Sequence, residues 1–180
     1  MVFTLWNLIE SIWIILPAFA ANGFAPLSRG KRAIDGDRKF IDGKPLLGKG
    51  KTWEGLILGV FVSTIIGIVE YYALPYLPFD QAPIILNIAP MTPYLGFLLG
   101  LGAMTGDIVG AFIKRRLGIA RGAPAPILDQ DDFVVGALLF ASLLVTVKFE
   151  WFMLLMVITP VIHLTANFIA FRLKIKSTPW

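Results

Sequence analysis

The chain has no cysteine, a single histidine and only 16% charged residues. The first absence excludes a disulfide scaffold, a thiol nucleophile and a cysteine-ligated zinc site. The scarcity of charge excludes an ordinary water-soluble domain, in which about 25% of residues are charged. With 57% hydrophobic residues and a mean hydropathy of +0.76, too few polar side chains remain to cover a surface facing water. Internal repeats, low-complexity tracts and a coiled-coil pattern are also missing. The 180 residues are instead mostly continuous apolar sequence, so the bilayer must be most of the solvent.

A hydrocarbon core about 30 Å thick takes roughly 20 apolar residues in helix. Five stretches approach that length: Val2 to Ala21, Trp53 to Ala73, Pro93 to Ile113, Phe133 to Val147 and Trp151 to Phe171. The fourth is short and borrows polar neighbours. The stretches are continuous rather than alternating, and a helix satisfies its own backbone in lipid without closing a barrel. The expected fold is therefore an all-α integral membrane protein with five transmembrane helices. The first stretch is read as a retained helix, although Ala18-Phe19-Ala20 looks like a signal-cleavage site. No Lys or Arg precedes it, and its apolar run exceeds the usual length of about 7–15 residues.

Orientation follows from the cations. The loop 22–52 carries eight: Arg29, Lys31, Arg32, Arg38, Lys39, Lys44, Lys49 and Lys51. The loop 114–132 carries four, and the tail carries Arg172, Lys174 and Lys176. Only Lys148 lies on the other side, which puts fifteen of the sixteen cations on one face. The positive-inside rule makes that face cytoplasmic, with the N-terminus outside, the C-terminus inside and two basic cytoplasmic loops.

Three constellations exceed what topology alone requires. The first runs from Asp42-Gly43-Lys44 through Gly48-Lys49-Gly50-Lys51-Thr52 into the second helix. Both possible registers of a P-loop fail, because Gly50 follows Gly48-Lys49 and Pro45 stands where the first glycine before Gly50-Lys51-Thr52 belongs. The physics of a P-loop survives: glycines, a helix N-terminus and lysines hold a polyphosphate well. A basic loop touching anionic headgroups is the equal alternative.

The second lies on the third helix. Glycines 102, 106 and 110 form a four-residue ladder that lets a neighbouring helix approach. Asp107 is different, being a carboxylate about 10 Å inside the basic cluster at Lys114, Arg115 and Arg116 and costly in lipid without a task. Asp107 and Lys114 are two turns apart on one face, with room between them for a metal-bound phosphate.

The third is Ala123-Pro124-Ala125-Pro126-Ile127-Leu128-Asp129-Gln130-Asp131-Asp132. A helix start accounts for one or two of these carboxylates. Asp129 and Asp132, three apart, share a face, and like charges placed together imply a cation; Mg²⁺ suits oxygen ligands shared with substrate phosphates. His163 and Asn167, one turn apart beyond Pro160, are either a packing hydrogen bond or part of a polar cavity. Glu10 has no visible partner.

Gly106-Asp107, Lys114-Arg115-Arg116-Leu117-Gly118, Pro126-Ile127-Leu128-Asp129-Gln130 and Asp132-Phe133 together resemble the signature of the membrane CTP:lipid-phosphate cytidylyltransferases. Asn22, Pro26, Ile34-Asp35, Asp42-Gly43, Gly50-Lys51-Thr52-Trp53, Pro160, His163 and Asn167, in that order, are similar to the short five-helix archaeal form. That resemblance implies one membrane-embedded cytidylyltransferase domain over 1–180 in the cell membrane, its site facing the cytoplasm. It further implies CTP and a polyprenyl diether glycerol phosphate as substrates, pyrophosphate release, Mg²⁺ as cofactor, surrounding membrane lipids and no nucleic acid; a homodimer is compatible with it. Asp107, Asp129 and Asp132 would hold the metal, and Asp107, Lys114 and Lys51 would be catalytic. Lys49, Gly50, Lys51, Thr52, Lys114, Arg115 and Arg116 would bind phosphates. The bacterial phosphatidate enzymes have a Ser where Ala111 stands, so phosphatidate itself is not the implied acceptor. The competing class is a small ion or solute transporter that uses Asp107, Glu10 and His163 as a path.

Overall fold

The computed structural model describes residues 4–82, 85–123 and 125–174. Val2 of the first predicted stretch, Pro124 and Lys176 lie outside the described residues. Among the described residues, five α-helices run in the order α1 (Leu5–Phe24), α2 (Trp53–Ala73), α3 (Pro93–Arg116), α4 (Leu128–Ala141) and α5 (Phe149–Arg172). No strand occurs among the described residues, only the isolated bridges Ala33 with Thr52 and Lys39 with Pro45. Among the described residues, four of these helices, all but α4, are long and apolar enough to cross a membrane.

Each of the first three helices starts on a threonine whose hydroxyl accepts a backbone N–H one turn on. Thr4 caps at Asn7, Thr52 at Gly55 and Thr92 at Leu95. The fourth helix departs from the predicted 133–147. It begins five residues earlier, at Leu128, because the Asp129 carboxylate folds back onto the N–H of Ala125 at 2.8 Å and its charge favours the helix N-terminus. It ends at Ala141, before the β-branched run Val145-Thr146-Val147, which loses rotamer freedom in helix.

The third helix is central because small residues line two of its faces. Towards α2, a Cβ on Gly96 would stand 2.9 Å from the Gly67 Cα, and one on Gly100 2.5 Å from the Ser63 Cβ. Towards α4, a Cβ on Gly102 would stand 2.4 Å from the Gly136 carbonyl oxygen, and one on Gly106 2.1 Å from that of Asp132. The predicted ladder thus has α4 as its partner, at backbone contact. Ile14, Ile15 and Ala18 of α1, Leu95 and Leu99 of α3, Phe133 and Val134 of α4, and Trp151 and Leu155 of α5 fill the core.

At the end of the bundle where α1 begins, Glu10 is buried. It accepts from Lys148 Nζ at 2.7 Å, Trp151 Nε1 at 2.9 Å and the Asn87 N–H at 2.5 Å. The last helix packs through Trp151, Leu155 and Thr159; beyond Pro160 only Asn167 stays buried among the described residues.

Candidate functional site

At the opposite end, the loop entering α2 is an ordered fold rather than a loose basic tether. Its organiser is Asp35, whose carboxylate accepts the N–H groups of Asp37 (3.1 Å), Leu47 (2.9 Å) and Gly48 (2.9 Å). Burial alone would raise its pKa, but the Gly48, Leu47 and Asp37 N–H donors outweigh that and hold it below the ordinary carboxylate range. The Ile34 N–H donates to the Lys51 carbonyl at 2.9 Å, and the Trp53 N–H to Arg32 at 3.0 Å. Those bonds aim the segment 49–52 at α3.

There the chain encloses a cavity of about 560 Å³. Its floor is Met104, Asp107 and Ile108 of α3; its walls are the turn after α1, segment 49–52, the start of α2, Lys114 and Arg115, Arg121 to Ala123 and Asp129; His163 and Asn167 close the α5 side. Asp107 pairs with Lys51 at 2.5 Å, and Lys114 pairs with Asp129. Neither carboxylate is more than a quarter exposed. Six cations (Arg29, Lys49, Lys51, Lys114, Arg115, Arg121) and two carboxylates (Asp107, Asp129) line the space, which leaves a net charge of +4. A cavity of that sign and size is suited to a polyanion rather than to a cation or a neutral solute.

The sequence-derived site residues divide. Asp107, Lys114, Lys51, Lys49, Gly50, Thr52, Arg115 and Asp129 all line the cavity. Thr52 also caps α2. Lys49 is largely exposed, 4.0 Å from Asp37. Arg116 turns away from the cavity: it donates to the Pro45 carbonyl, pairs with Asp42 at 3.2 Å and lies over the rings of Phe40 and Phe112 at 4.7 and 4.9 Å. One helical step rotates a side chain by about 100°, so the three consecutive cations cannot share a target. Asp132 does not form part of the cavity wall: its carboxylate lies against Gly110 in the α3–α4 contact, behind the paired groups Asp107, Lys51 and Lys114 with which it interacts electrostatically. Asp107 and Lys114 both line the cavity, and each holds a partner from another segment.

Among the described residues, no three His, Asp or Glu side chains converge closely enough to form a metal cluster by themselves. The donor set still fits Mg²⁺, which commonly uses one or two carboxylates and takes its remaining ligands from water and phosphate. Asp132 supports that fit: its Oδ2 is buried with no hydrogen-bond partner, and it lies within electrostatic reach of Asp107, Lys51 and Lys114.

Sequence reasoning missed Arg29 and Arg121, which entered it only as loop cations. A signal exists for Arg29 in the structure, since it is a non-glycine residue with φ of +46°, a conformation kept only where the surroundings impose it. His163 and Asn167 satisfy both readings at once, being hydrogen-bonded to one another at 3.1 Å and lining the cavity.

Comparison with known proteins converges on one family. The family model described as CarS-like, CDP-archaeol synthase, matches residues 4–180. A CDP-archaeol synthase of Thermococcus gammatolerans is 43% identical over 170 residues, which are 94% of this chain and 95% of the relative. One from Pyrococcus horikoshii is 43% identical over 174 residues, 97% and 98% of the two chains. One from Methanocaldococcus jannaschii is 39% identical over 96% of this chain and 97% of its own. A solved structure, reported as an intramembrane enzyme for archaeal membrane lipid biosynthesis, superposes with a TM-score of 0.74 at 36% identity, covering 88% of this chain and 93% of that one. The chain belongs to the CDP-archaeol synthase family.

Proposed function

We propose that the chain transfers the cytidylyl group of CTP to an unsaturated archaeal diether glycerol phosphate, 2,3-bis-O-geranylgeranyl-sn-glycerol 1-phosphate, forming CDP-archaeol and pyrophosphate. The observation that carries this reading is the +4 cavity built around two lysine–carboxylate pairs, in a chain of this family. A phosphate monoester oxygen of the lipid attacks the α-phosphorus of CTP; the bond from that phosphorus to the α,β-bridging oxygen breaks, and pyrophosphate leaves. The monoester, with a second pKa near about 6, is already an anion at neutral pH and needs no side-chain base. What must be overcome is repulsion among three anions.

In this reading Lys114 and Arg115, which line the cavity, hold the CTP phosphates, and Lys51 and Lys49 the pyrophosphate or lipid phosphate. Lys51 and Lys114 are paired with Asp107 and Asp129, so a polyanion entering the cavity competes for lysines that are already positioned. Asp107 and Asp129, with the unpartnered Asp132 oxygen beside them, would hold Mg²⁺, which when bound supplies further neutralisation of phosphate charge. The topology is read as five crossings, α4 crossing with the turn that follows it. The N-terminus is then outside, and the cavity faces the cytoplasm at the cell membrane, where CTP is available.

The transporter alternative finds no support. Glu10 is at the far end of the bundle and fully engaged, so Asp107, His163 and Glu10 form no path. Purified protein given labelled CTP, Mg²⁺ and a panel of diether and diester glycerol phosphates tests the proposal. A CDP-lipid is expected from the unsaturated diether, in strict dependence on Mg²⁺; CTP left unconsumed with every acceptor would overturn it.

A further inference from the structure

We propose that the hairpin formed by residues 38–46 is an interfacial anchor that seats its tip, Ile41, at the headgroup–acyl boundary of an anionic lipid leaflet. The hairpin takes no part in the cavity and is nevertheless rigid. Lys39 bridges Pro45, Phe40 donates to the Lys44 carbonyl at 2.8 Å, Leu46 donates to Arg38 at 2.9 Å, and Asp42 accepts the Lys44 N–H at 3.0 Å. Gly43, at φ of +75°, makes the return turn.

It is fixed against the last turns of α3. The Phe40 ring meets Phe112 edge-on at 5.3 Å, the Arg116 guanidinium is layered on both rings, and Lys44 Nζ donates to the Arg116 carbonyl at 3.0 Å. That attachment sets a depth. The 24 residues of α3 span about 36 Å against a hydrocarbon core of about 30 Å, so about two residues overhang at each end. Phe112, four residues before the end, therefore lies at the inner edge of the hydrocarbon, and the hairpin packed on it lies at the same level.

Two features of the tip match such a place. Ile41 is 94% exposed, and the end of α3 to which the hairpin is fixed is apolar and open as well, at Val109 and Ile113 and at the C-cap Leu117. Water is a poor environment for that patch, and the acyl boundary a good one. Around it stand Arg38, Lys39 and Lys44, exposed and outside every ion pair found among the described residues, against the single carboxylate of Asp42, which Arg116 takes. An apolar point flanked in the hairpin by cations that hold no carboxylate is complementary to a leaflet with anionic headgroups. The proposal does not depend on the CTP reaction and stands or falls separately from it.

Because the chain has no cysteine, Ile41→Cys introduces a single thiol for a nitroxide label. The labelled full-length protein is reconstituted in vesicles of phosphatidylcholine alone or with phosphatidylglycerol, and collisions with oxygen and with a water-soluble nickel chelate are measured. Val69→Cys, on an exposed part of α2, is the hydrocarbon reference, and the free nitroxide–cysteine adduct is the water reference. Nickel access at position 41 is expected to fall at least about threefold below the free adduct, with oxygen access approaching that of Val69, and to fall further in the anionic vesicles. Adding Arg38→Gln and Lys39→Gln should remove the difference between the two vesicles. Nickel access equal to the free adduct overturns the proposal. So does protection from both reagents, which would mean that another protein copy covers the tip, and so does an equal result in the two lipids.

Discussion

The two ends of this bundle use the same chemistry for opposite purposes. At one end Glu10, only 3% exposed, is met by Lys148, the Trp151 indole and the Asn87 N–H, so both of its carboxylate oxygens are engaged. At the other end Asp107 and Asp129 each hold a lysine, yet four more cations and about 560 Å³ of cavity surround them. A carboxylate–lysine pair in a membrane protein therefore does not announce its role. Saturation does: a closed set of partners holds helices together, and an open set with excess positive charge waits for an anion.

Substitutions should separate the two ends. The largest effect is expected from Asp107→Asn, which removes the charge opposite Lys51. CDP-lipid formation should fall by at least about 10²–10³-fold, while the detergent-solubilised protein still unfolds cooperatively and loses no more stability than Glu10→Gln. Retained turnover would erase the distinction between the ends. Gly106→Ala comes next, because its Cβ would stand 2.1 Å from the Asp132 carbonyl oxygen and must force α3 and α4 apart. It should cost about 1–3 kcal/mol in unfolding measurements and lower activity by displacing Asp107 and Asp132 together.

Glu10→Gln tests the closed end. Leaving Lys148 without its partner should destabilise by about 2 kcal/mol, less than a fully buried pair because Lys148 is partly exposed, while KM for CTP stays unchanged. A large change in KM would mean that the ends are coupled. The smallest expected effect is that of pH on Asp35. Because its pKa is depressed in the folded protein, its stabilisation is complete above the ordinary carboxylate range and is lost as pH falls through its folded value. Asp35→Asn should cost about 1–2 kcal/mol near neutrality and flatten the acid limb of the stability profile.

Much of the site was legible because membrane cost makes it so. Asp107 is conspicuous in an apolar helix, the glycines beside it mark a close contact, and the cations collect at one face. The rest depends on rotation and on distant partners. Lys114, Arg115 and Arg116 are equivalent as letters, but only the first two reach the cavity. Asp129 and Asp132 have ideal spacing for a shared face, but the Gly110 gap takes Asp132 into the helix contact. Arg29 and Arg121 were two basic loop residues among many until the turns carrying them closed over segment 49–52. Glu10 had no visible partner because two of its three donors, Lys148 and Trp151, lie more than 130 residues away.

By itself, the amino-acid order determined the helical class, the approximate positions of the helices, the clustering of the cations and the residues too costly to be incidental in lipid. These properties follow from periodicity and transfer free energy, which act locally. Tertiary structure alone decided which carboxylate meets which lysine, where α4 begins, and which end remains open. Those outcomes depend on the relative rotation and closest approach of helices brought together from far along the chain, and no local preference encodes them.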